Sequence, residues 1–217
     1  PRKMIMLEGC VQPGMSPNIN AATLRVLDKL GIQLQRPQNA GCCGAINLHM
    51  GAEAQSLNDM RRNIDAWWPL LEQGAEALLI NASGCGATVK EYGYHLQHDA
   101  QYAEKAAAIS AAAKDIVEIL ASEAENIQAK LPANLPAHTI AYHPPCTLQH
   151  GQKLRGGVES HLNQLGFKLR TARNDAHLCC GSAGTYSVLN PDLSYQLRDR
   201  KLGVLGEAFG NQPPDMI

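Results

Sequence analysis

The chain has 217 residues, a formal net charge of −1 and 5% aromatic residues, so its composition gives no reason to expect a nucleic-acid or anionic-lipid partner. No run approaches the ~20 apolar residues that a membrane-spanning helix needs. Seven cysteines without a secretory leader indicate a reducing compartment, where metal binding or redox chemistry is expected rather than structural disulfides.

Strands and helices alternate along the first part of the chain. The hydrophobic pattern predicts strand, helix, strand, helix, strand and helix in that order, over residues 4–8, 21–30, 32–34, 52–72, 77–81 and 100–130. Asn18 or Asn20 is expected to cap the first helix, and Gly31 and Gly74 to end the first two helices. Ala82–Gly86 is predicted to be a loop after the third strand.

The pattern restarts in the second part of the chain. A strand is predicted over Thr139–Tyr142, and Leu162–Leu169 matches Leu27–Leu34 almost position by position. Both matched segments end a helix at a glycine and then enter a strand. The second half is therefore expected to repeat the first.

This alternation predicts an α/β protein of two βαβ-type domains with mainly parallel sheets, related by a pseudo-twofold. We place the domains at residues 1–130 and 139–217. The junction at 131–138 is indicated by Pro132 and Pro136, because prolines disfavour a continuing helix.

The cysteines follow the same repeat. A Cys-Cys-Gly triplet occurs at residues 42–44 and again at residues 179–181. One cysteine precedes each triplet, with 31 residues between Cys10 and Cys42 and 32 between Cys146 and Cys179. Packing alone does not require the same spacing twice, so the pattern indicates a metal site.

The first copy has a fourth cysteine, Cys85. The same spacing applied after Cys180 falls beyond Ile217, so we expect the second domain to be cut before its last cysteine motif. Since the carboxyl ends of parallel strands meet at one edge of a sheet, the four cysteines of the first copy are expected to converge there.

Four thiolates are the usual ligands of a [4Fe–4S] cluster, and neighbouring cysteines can bind different irons of such a cluster. We therefore predict an iron–sulfur cofactor. The predicted cofactor-binding and metal-ligating residues are Cys10, Cys42, Cys43 and Cys85 in the first copy, with Cys146, Cys179 and Cys180 in the second.

Three alternatives remain open from the residues alone. The thiols could be buried free cysteines. They could hold a structural zinc ion, although zinc sites usually use closely spaced C-x2–4-C pairs and the chain has none. Cys42 and Cys43 could also form a redox-active vicinal disulfide, which would be strained.

The triplets and their flanks resemble the cysteine-rich CCG-domain family, and within it the iron–sulfur subunits of glycolate oxidases. The resemblance covers essentially the whole chain. The motifs that carry it lie at residues 7–13, 40–45, 82–86, 89–93, 145–150 and 177–186. Many CCG domains have C-x-x-C where this chain has Ala82–Cys85, and this departure favours a four-thiolate site over a noncubane cluster.

The resemblance implies a non-catalytic electron-transfer subunit of a glycolate oxidase complex. Such a subunit passes electrons from FAD-binding partner subunits, which oxidise glycolate, toward the quinone pool. It implies a cytoplasmic location, at most peripheral at the inner face of the membrane. It also implies that the chain is the C-terminal region of a longer protein, since the ferredoxin-type motifs of full-length relatives are not in it.

Two other functions stay open at this point. One is a disulfide-reducing or lactate-utilisation CCG protein with a catalytic cluster. The other is a zinc-stabilised interaction domain, which would hold four thiolates around one ion and carry no electrons.

Overall fold

The computed structural model describes residues 1–132, 138–172, 174–210 and 212–217. It divides into two compact units. The first comprises Pro1–Ile127 with Cys146–Lys153, and the second comprises Gln128–Pro145 with Leu154–Ile217. The predicted junction at 131–138 includes Pro136, which lies outside the described residues, so the proposed domain boundary stays a prediction.

The first unit is built on a four-stranded parallel sheet. Its strands are β1 (Arg2–Leu7), β2 (Ile32–Gln35), β3 (Leu78–Ile80) and β4 (Ala113–Asp115), in the order β2-β1-β3-β4. Met4 lies opposite Leu34, and Met6 lies opposite Leu79. The predicted α/β class with parallel sheets is confirmed.

The helices of the first unit lie between and after these strands. They are α1 (Gln12–Met15), α2 (Pro17–Lys29), α3 (Ala45–His49), α4 (Glu53–Glu72), α5 (Ser83–Lys90), α6 (Tyr92–His95), α7 (Ala103–Ala112) and α8 (Ile116–Ser122). The next helix, α9 (Ala124–Lys130), includes the chain boundary between the units at Ile127. Among the described residues, none of the helices is both long enough and apolar enough to cross a bilayer.

The core lies on both faces of this sheet, as expected for parallel strands. One buried cluster joins Ile5 and Leu78 to Met60, Ile64 and Trp67 of α4. The other cluster joins the alternate strand residues to α2 and α8, through Met4, Leu79, Leu27 and Ile119. The sheet is thus covered on both sides, and its carboxyl edge is left for the loops.

Two local predictions in the first unit were wrong. The first long helix, α2, begins at Pro17 and neither predicted asparagine caps it with its side chain. Asn20 instead donates to the carbonyl of Glu8 at 3.0 Å and accepts a bond from Asn81 at 3.0 Å, so its amide joins α2 to the loops after β1 and β3. The segment predicted as a loop at 82–86 is largely the first turn of α5.

The alanine-rich stretch at 100–130 was predicted to be one helix, and this too was wrong. It is interrupted by β4, which pairs with β3 at the edge of the sheet. Asp115 then caps α8, because its side chain accepts from the backbone N–H of Val117 while the Glu118 side chain accepts from the N–H of Asp115. This reciprocal capping box favours a new helix start at that point.

The second unit contains a two-stranded parallel sheet of β5 (Thr139–Tyr142) and β6 (Lys168–Thr171). Its helices are α10 (Gly157–Gln164), α11 (Tyr186–Leu189) and α12 (Pro191–Glu207). Gly166 ends α10 with φ +88°, as Gly31 ends α2 with φ +81°. Glycine adopts such positive φ without steric cost, so the repeated helix stop is confirmed.

Candidate metal centre

The four cysteines of the first unit meet at the carboxyl edge of its sheet. Cys10 follows β1, the first triplet follows β2, and Cys85 lies in the first turn of α5, after β3. The sulfurs of Cys10 and Cys42 are 3.5 Å apart. The thiols of Cys43 and Cys85 are hydrogen-bonded to each other. The structure therefore brings together the four thiols that the sequence singled out.

The four thiols influence one another's ionisation. Burial and the contact with Cys42 raise the pKa of Cys10 to about 11. The hydrogen bond with Cys85, together with burial, raises the pKa of Cys43, and the same bond lowers the pKa of Cys85. Negative charge on Cys10 and Cys42 opposes ionisation of Cys85. Ionising all four thiols together therefore requires a bound cation that compensates their negative charge.

The first triplet makes a tight turn against the first turns of α4. Gly44 has φ +89°, and its N–H donates to the sulfur of Cys42 at 3.4 Å. The buried hydroxyl of Ser56 donates to the carbonyl of Gly44 at 3.0 Å. A Cβ at position 44 would lie 2.9 Å from the Ser56 hydroxyl oxygen and 3.0 Å from its backbone oxygen, so only glycine fits.

Two further buried side chains hold the triplet, and the sequence analysis missed both. Asn63 of α4 donates to the carbonyl of Cys42 at 2.7 Å. The hydroxyl of Tyr92 donates to the carbonyl of Cys43 at 2.8 Å. The available signal was the motif at residues 89–93, which contains Tyr92, although the motif does not indicate what the Tyr92 hydroxyl contacts. Burial raises the pKa of Tyr92 well above its ordinary value, so its phenol stays protonated.

Cys146 follows β5 in the chain, but its segment packs within the first unit. It is exposed and precedes a π-helical turn at Thr147–Gly151. The hydroxyls of Ser83 and Thr147 are 2.8 Å apart. The missing Cβ of Gly86 leaves room for the side-chain amide of Gln152, whose nitrogen would lie 2.6 Å from a Cβ at that position.

The second triplet repeats the local structure of the first. The N–H of Gly181 donates to the sulfur of Cys179 at 3.3 Å, and Gly181 has φ +82°. The hydroxyl of Ser194 donates to the carbonyl of Gly181 at 2.8 Å. Burial opposes ionisation of Cys180, but bonds from Ser182 outweigh it and lower the pKa of that thiol.

The donor set of the first unit fits an iron–sulfur cluster. Four thiols, two of them on adjacent residues, supply the usual complement, and a backbone N–H already points at one sulfur. Over residues 1–132, 138–172, 174–210 and 212–217, no three His, Cys, Asp or Glu side chains are arranged as ligands of a single ion. In the second copy, Cys146 lies in the first unit, whereas Cys179 and Cys180 lie in the second.

The chain is matched by the family model of the cysteine-rich domain known as CCG, in two segments, residues 4–90 and 140–213. The two segments correspond to the two copies of the cysteine pattern. The repeat inferred from spacing is therefore also found by comparison with a family of known sequences.

Several curated proteins are similar to the chain along its length. The glycolate oxidase iron-sulfur subunit of Escherichia coli (strain K12) is 55% identical over 216 residues, which are 100% of this chain and 51% of that protein. The probable glycolate oxidase iron-sulfur subunit of Bacillus subtilis (strain 168) is 28% identical over 94% of this chain and 45% of its own length. The chain thus spans about half the length of these two relatives.

A second group of relatives is shorter. Lactate utilization protein A of Bacillus pumilus (strain SAFR-032) is 24% identical over 94% of this chain and 83% of its own length. The chain therefore covers most of that protein.

Proposed function

Because the chain belongs to the CCG family of cysteine-rich domains, we propose that it is an iron–sulfur electron-transfer module of a glycolate-oxidising complex. The 55% identity to a glycolate oxidase iron-sulfur subunit, over the whole chain, supports this assignment. The observation that carries it is the meeting of Cys10, Cys42, Cys43 and Cys85 at one edge of the sheet.

In this proposal the four thiols of the first unit hold a [4Fe–4S] cluster, which when bound accepts and passes on single electrons. The chain's residues bind and orient it. Cys43 is 2% exposed, whereas Cys10 is exposed, so one side of the site lies in the protein and the other faces solvent. The solvent-facing side is where a redox partner would approach.

The repeated sequence pattern supports the same role for the second copy. We assign Cys179 and Cys180, which correspond in sequence to Cys42 and Cys43, as ligands of a second cluster. The Gly181 N–H on the Cys179 sulfur supports this, because the first triplet has the same bond.

The partners follow from the same proposal. FAD-binding subunits of the complex oxidise glycolate and deliver electrons to this module, and a quinone receives them. We propose that the module acts in the cytoplasm, at most peripherally associated with the inner face of the membrane through its complex.

The test is reduction by glycolate. The full-length subunit is purified anaerobically with its flavoprotein partners, glycolate is added, and visible absorbance and electron paramagnetic resonance are recorded. We expect the iron–sulfur absorbance to bleach as fast as the flavoprotein oxidises glycolate, and the paramagnetic signal of a reduced cluster to appear. An iron-loaded complex that glycolate fails to reduce would overturn the assignment of substrate.

Lactate is the second candidate substrate. It is supported by the similarity to lactate utilization protein A of Bacillus pumilus, which is 24% identical over 94% of this chain. Bleaching by lactate but not by glycolate in the same assay would select this candidate.

A further inference from the structure

The backbone around the first two neighbouring cysteines is held by two buried side chains. Asn63 accepts from the N–H of Gly41 at 2.8 Å and donates to the carbonyl of Cys42 at 2.7 Å. Tyr92 donates to the carbonyl of Cys43 at 2.8 Å. Each of these three consecutive residues therefore has a backbone group fixed by a side chain from another element.

The bond from Tyr92 also determines where a neighbouring N–H points. In a trans peptide the C=O and the N–H point in opposite directions. The carbonyl of Cys43 and the N–H of Gly44 belong to one peptide, so holding the carbonyl on the Tyr92 hydroxyl turns the N–H the other way. That N–H donates to the sulfur of Cys42 at 3.4 Å.

The two side chains are themselves rigidly held. Both are fully buried, and the amide of Asn63 also donates to the Tyr92 hydroxyl at 3.1 Å. The Tyr92 ring stacks on Trp67, with ring centroids 6.2 Å apart and an interplanar angle of 15°. Buried and fully bonded polar pairs of this kind fix one geometry, because any other leaves a group unpaired.

We propose that Tyr92 and Asn63 are positioning residues that set the reduction potential of the cluster at the first triplet, by holding the Gly44 N–H on the Cys42 sulfur. This rests on the proposed function, in which these thiols bind a cluster. Hydrogen bonds to cluster sulfurs stabilise the more negative, reduced form and so raise the potential. By holding this hydrogen bond, Asn63 and Tyr92 therefore raise the reduction potential of the cluster at the first triplet.

At the second triplet, the position that corresponds to Asn63 makes different contacts. The serine on the triplet glycine occupies the fourth residue of α4 and of α12, so Asn63 corresponds to Lys201. Lys201 is buried, and its ammonium donates to the carbonyls of Asp175 and Ala176 rather than to the triplet. The Asn63 contacts are thus not repeated at the second triplet, and the two triplets are expected to differ in this contribution.

The test compares Tyr92→Phe with Tyr102→Phe in the full-length subunit. Tyr102 is the matched control, because its hydroxyl donates to Asp65 at 2.9 Å at the surface of the same unit. We expect Tyr92→Phe to keep the iron content, to lower the midpoint potential of one cluster and to change its paramagnetic signal. Tyr102→Phe should match the wild type in all three.

An unchanged potential and signal in Tyr92→Phe would overturn the inference while leaving the proposed function intact. Loss of iron from Tyr92→Phe alone would also overturn it, because Tyr92 would then be needed for the site to form rather than for its potential. Absence of iron from the wild type would instead overturn the proposed function.

A second measurement does not need the metal. In the metal-free subunit, we expect Cys43 to react slowly with iodoacetamide, because the residue is 2% exposed and Tyr92 fixes its backbone carbonyl. We expect alkylation of Cys43, followed by peptide mass spectrometry, to be several-fold faster in Tyr92→Phe than in Tyr102→Phe. Equal rates would contradict the positioning role even in a protein that binds no iron.

Discussion

At Gly44, two independent restrictions exclude every other residue. Its φ of +89° lies in the left-handed region, and a Cβ there would meet both the hydroxyl and the backbone oxygen of Ser56. The first restriction concerns the chain's own conformation, and the second concerns the approach of α4. The hydrogen bond on the sulfur of Cys42 depends on both restrictions, because its donor is the N–H of this glycine.

Gly44→Ala is therefore expected to destabilise the first unit strongly. Left-handed strain alone costs about 1–2 kcal/mol, and overpacking against the Ser56 backbone adds about 1–3 kcal/mol. Gly51→Ala is the matched control, since Gly51 has φ +77° but open space around its missing Cβ. The free energy of unfolding in urea should fall more in Gly44→Ala than in Gly51→Ala. Equal losses would show that strain alone, and not the contact with α4, requires glycine.

Among the single residues, the cysteines could be found from sequence and their supports could not. Cysteines are few, and their spacing repeats, so the pattern is visible without a structure. Asn63 and Tyr92 act through contacts between residues 21 or more positions apart, and an asparagine on a helix carries no mark of such a partner. Lys201 is a similar case, because nothing in its neighbours predicts a buried ammonium.

On the scale of elements, the first long helix after each triplet, α4 or α12, has a serine bonded to the triplet glycine near its start. Ser56 and Ser194 occupy the fourth residue of α4 and of α12, and each donates to the carbonyl of the triplet glycine. The bond joins the helix start to the turn that carries the cysteines. The two halves therefore share this junction as well as their spacing.

We expect Ser56→Ala and Ser194→Ala each to lower the free energy of unfolding by about 1 kcal/mol, the net value of one buried hydrogen bond. Each change should also raise hydrogen exchange at the glycine of its own triplet and not at the other. The measurement is amide exchange by mass spectrometry. An effect from only one of the two serines would contradict their equivalence.

The contacts of Glu118 at the start of α8 predict that the stability of the fold depends on pH. Burial disfavours the Glu118 carboxylate, but the 2.6 Å bond from Lys90 and the N–H of Asp115 outweigh it and lower its pKa. Because the pKa of Glu118 is lowered on folding, its carboxylate stabilises the fold at pH values above the ordinary pKa of about 4.3. This stabilisation is lost as the pH falls through the lowered pKa of the folded state.

Glu118→Gln tests this. The variant should melt below the wild type at pH 7, and the difference should shrink as the pH is lowered toward 3, because protonated Glu118 resembles glutamine. The control is Glu104→Gln at the exposed start of α7. A gap between Glu118→Gln and the wild type that stays constant with pH would contradict the role of the ion pair.

The buried strands and the helix ends at glycine were predictable because short apolar runs that alternate with helical segments and glycines are typical of buried strands. The break at β4 was not, since alanine favours helix locally and only pairing with β3 selects a strand there. The sequence did contain one signal, Asp115 followed three residues later by Glu118, which is a capping box. The α5 turn was hidden because Ser83, Gly84 and Gly86 also suit a loop.

On the scale of the whole molecule, the repeat organises both the fold and the chemistry. The family matches at 4–90 and 140–213 correspond to the two copies, and each described unit has its own parallel sheet. The first unit gathers four thiols, whereas only Cys179 and Cys180 of the second copy lie in the second unit. The first unit therefore contains all four thiols of its copy of the pattern.

The most direct test measures iron and acid-labile sulfide per chain in the anaerobically prepared full-length subunit and in its Cys85→Ser variant. Since Cys85 binds only the first cluster in this account, the variant should lose iron and sulfide together, in the amount of one cluster. Equal iron and sulfide in the two proteins would contradict the account. So would stoichiometric zinc without sulfide in the wild type.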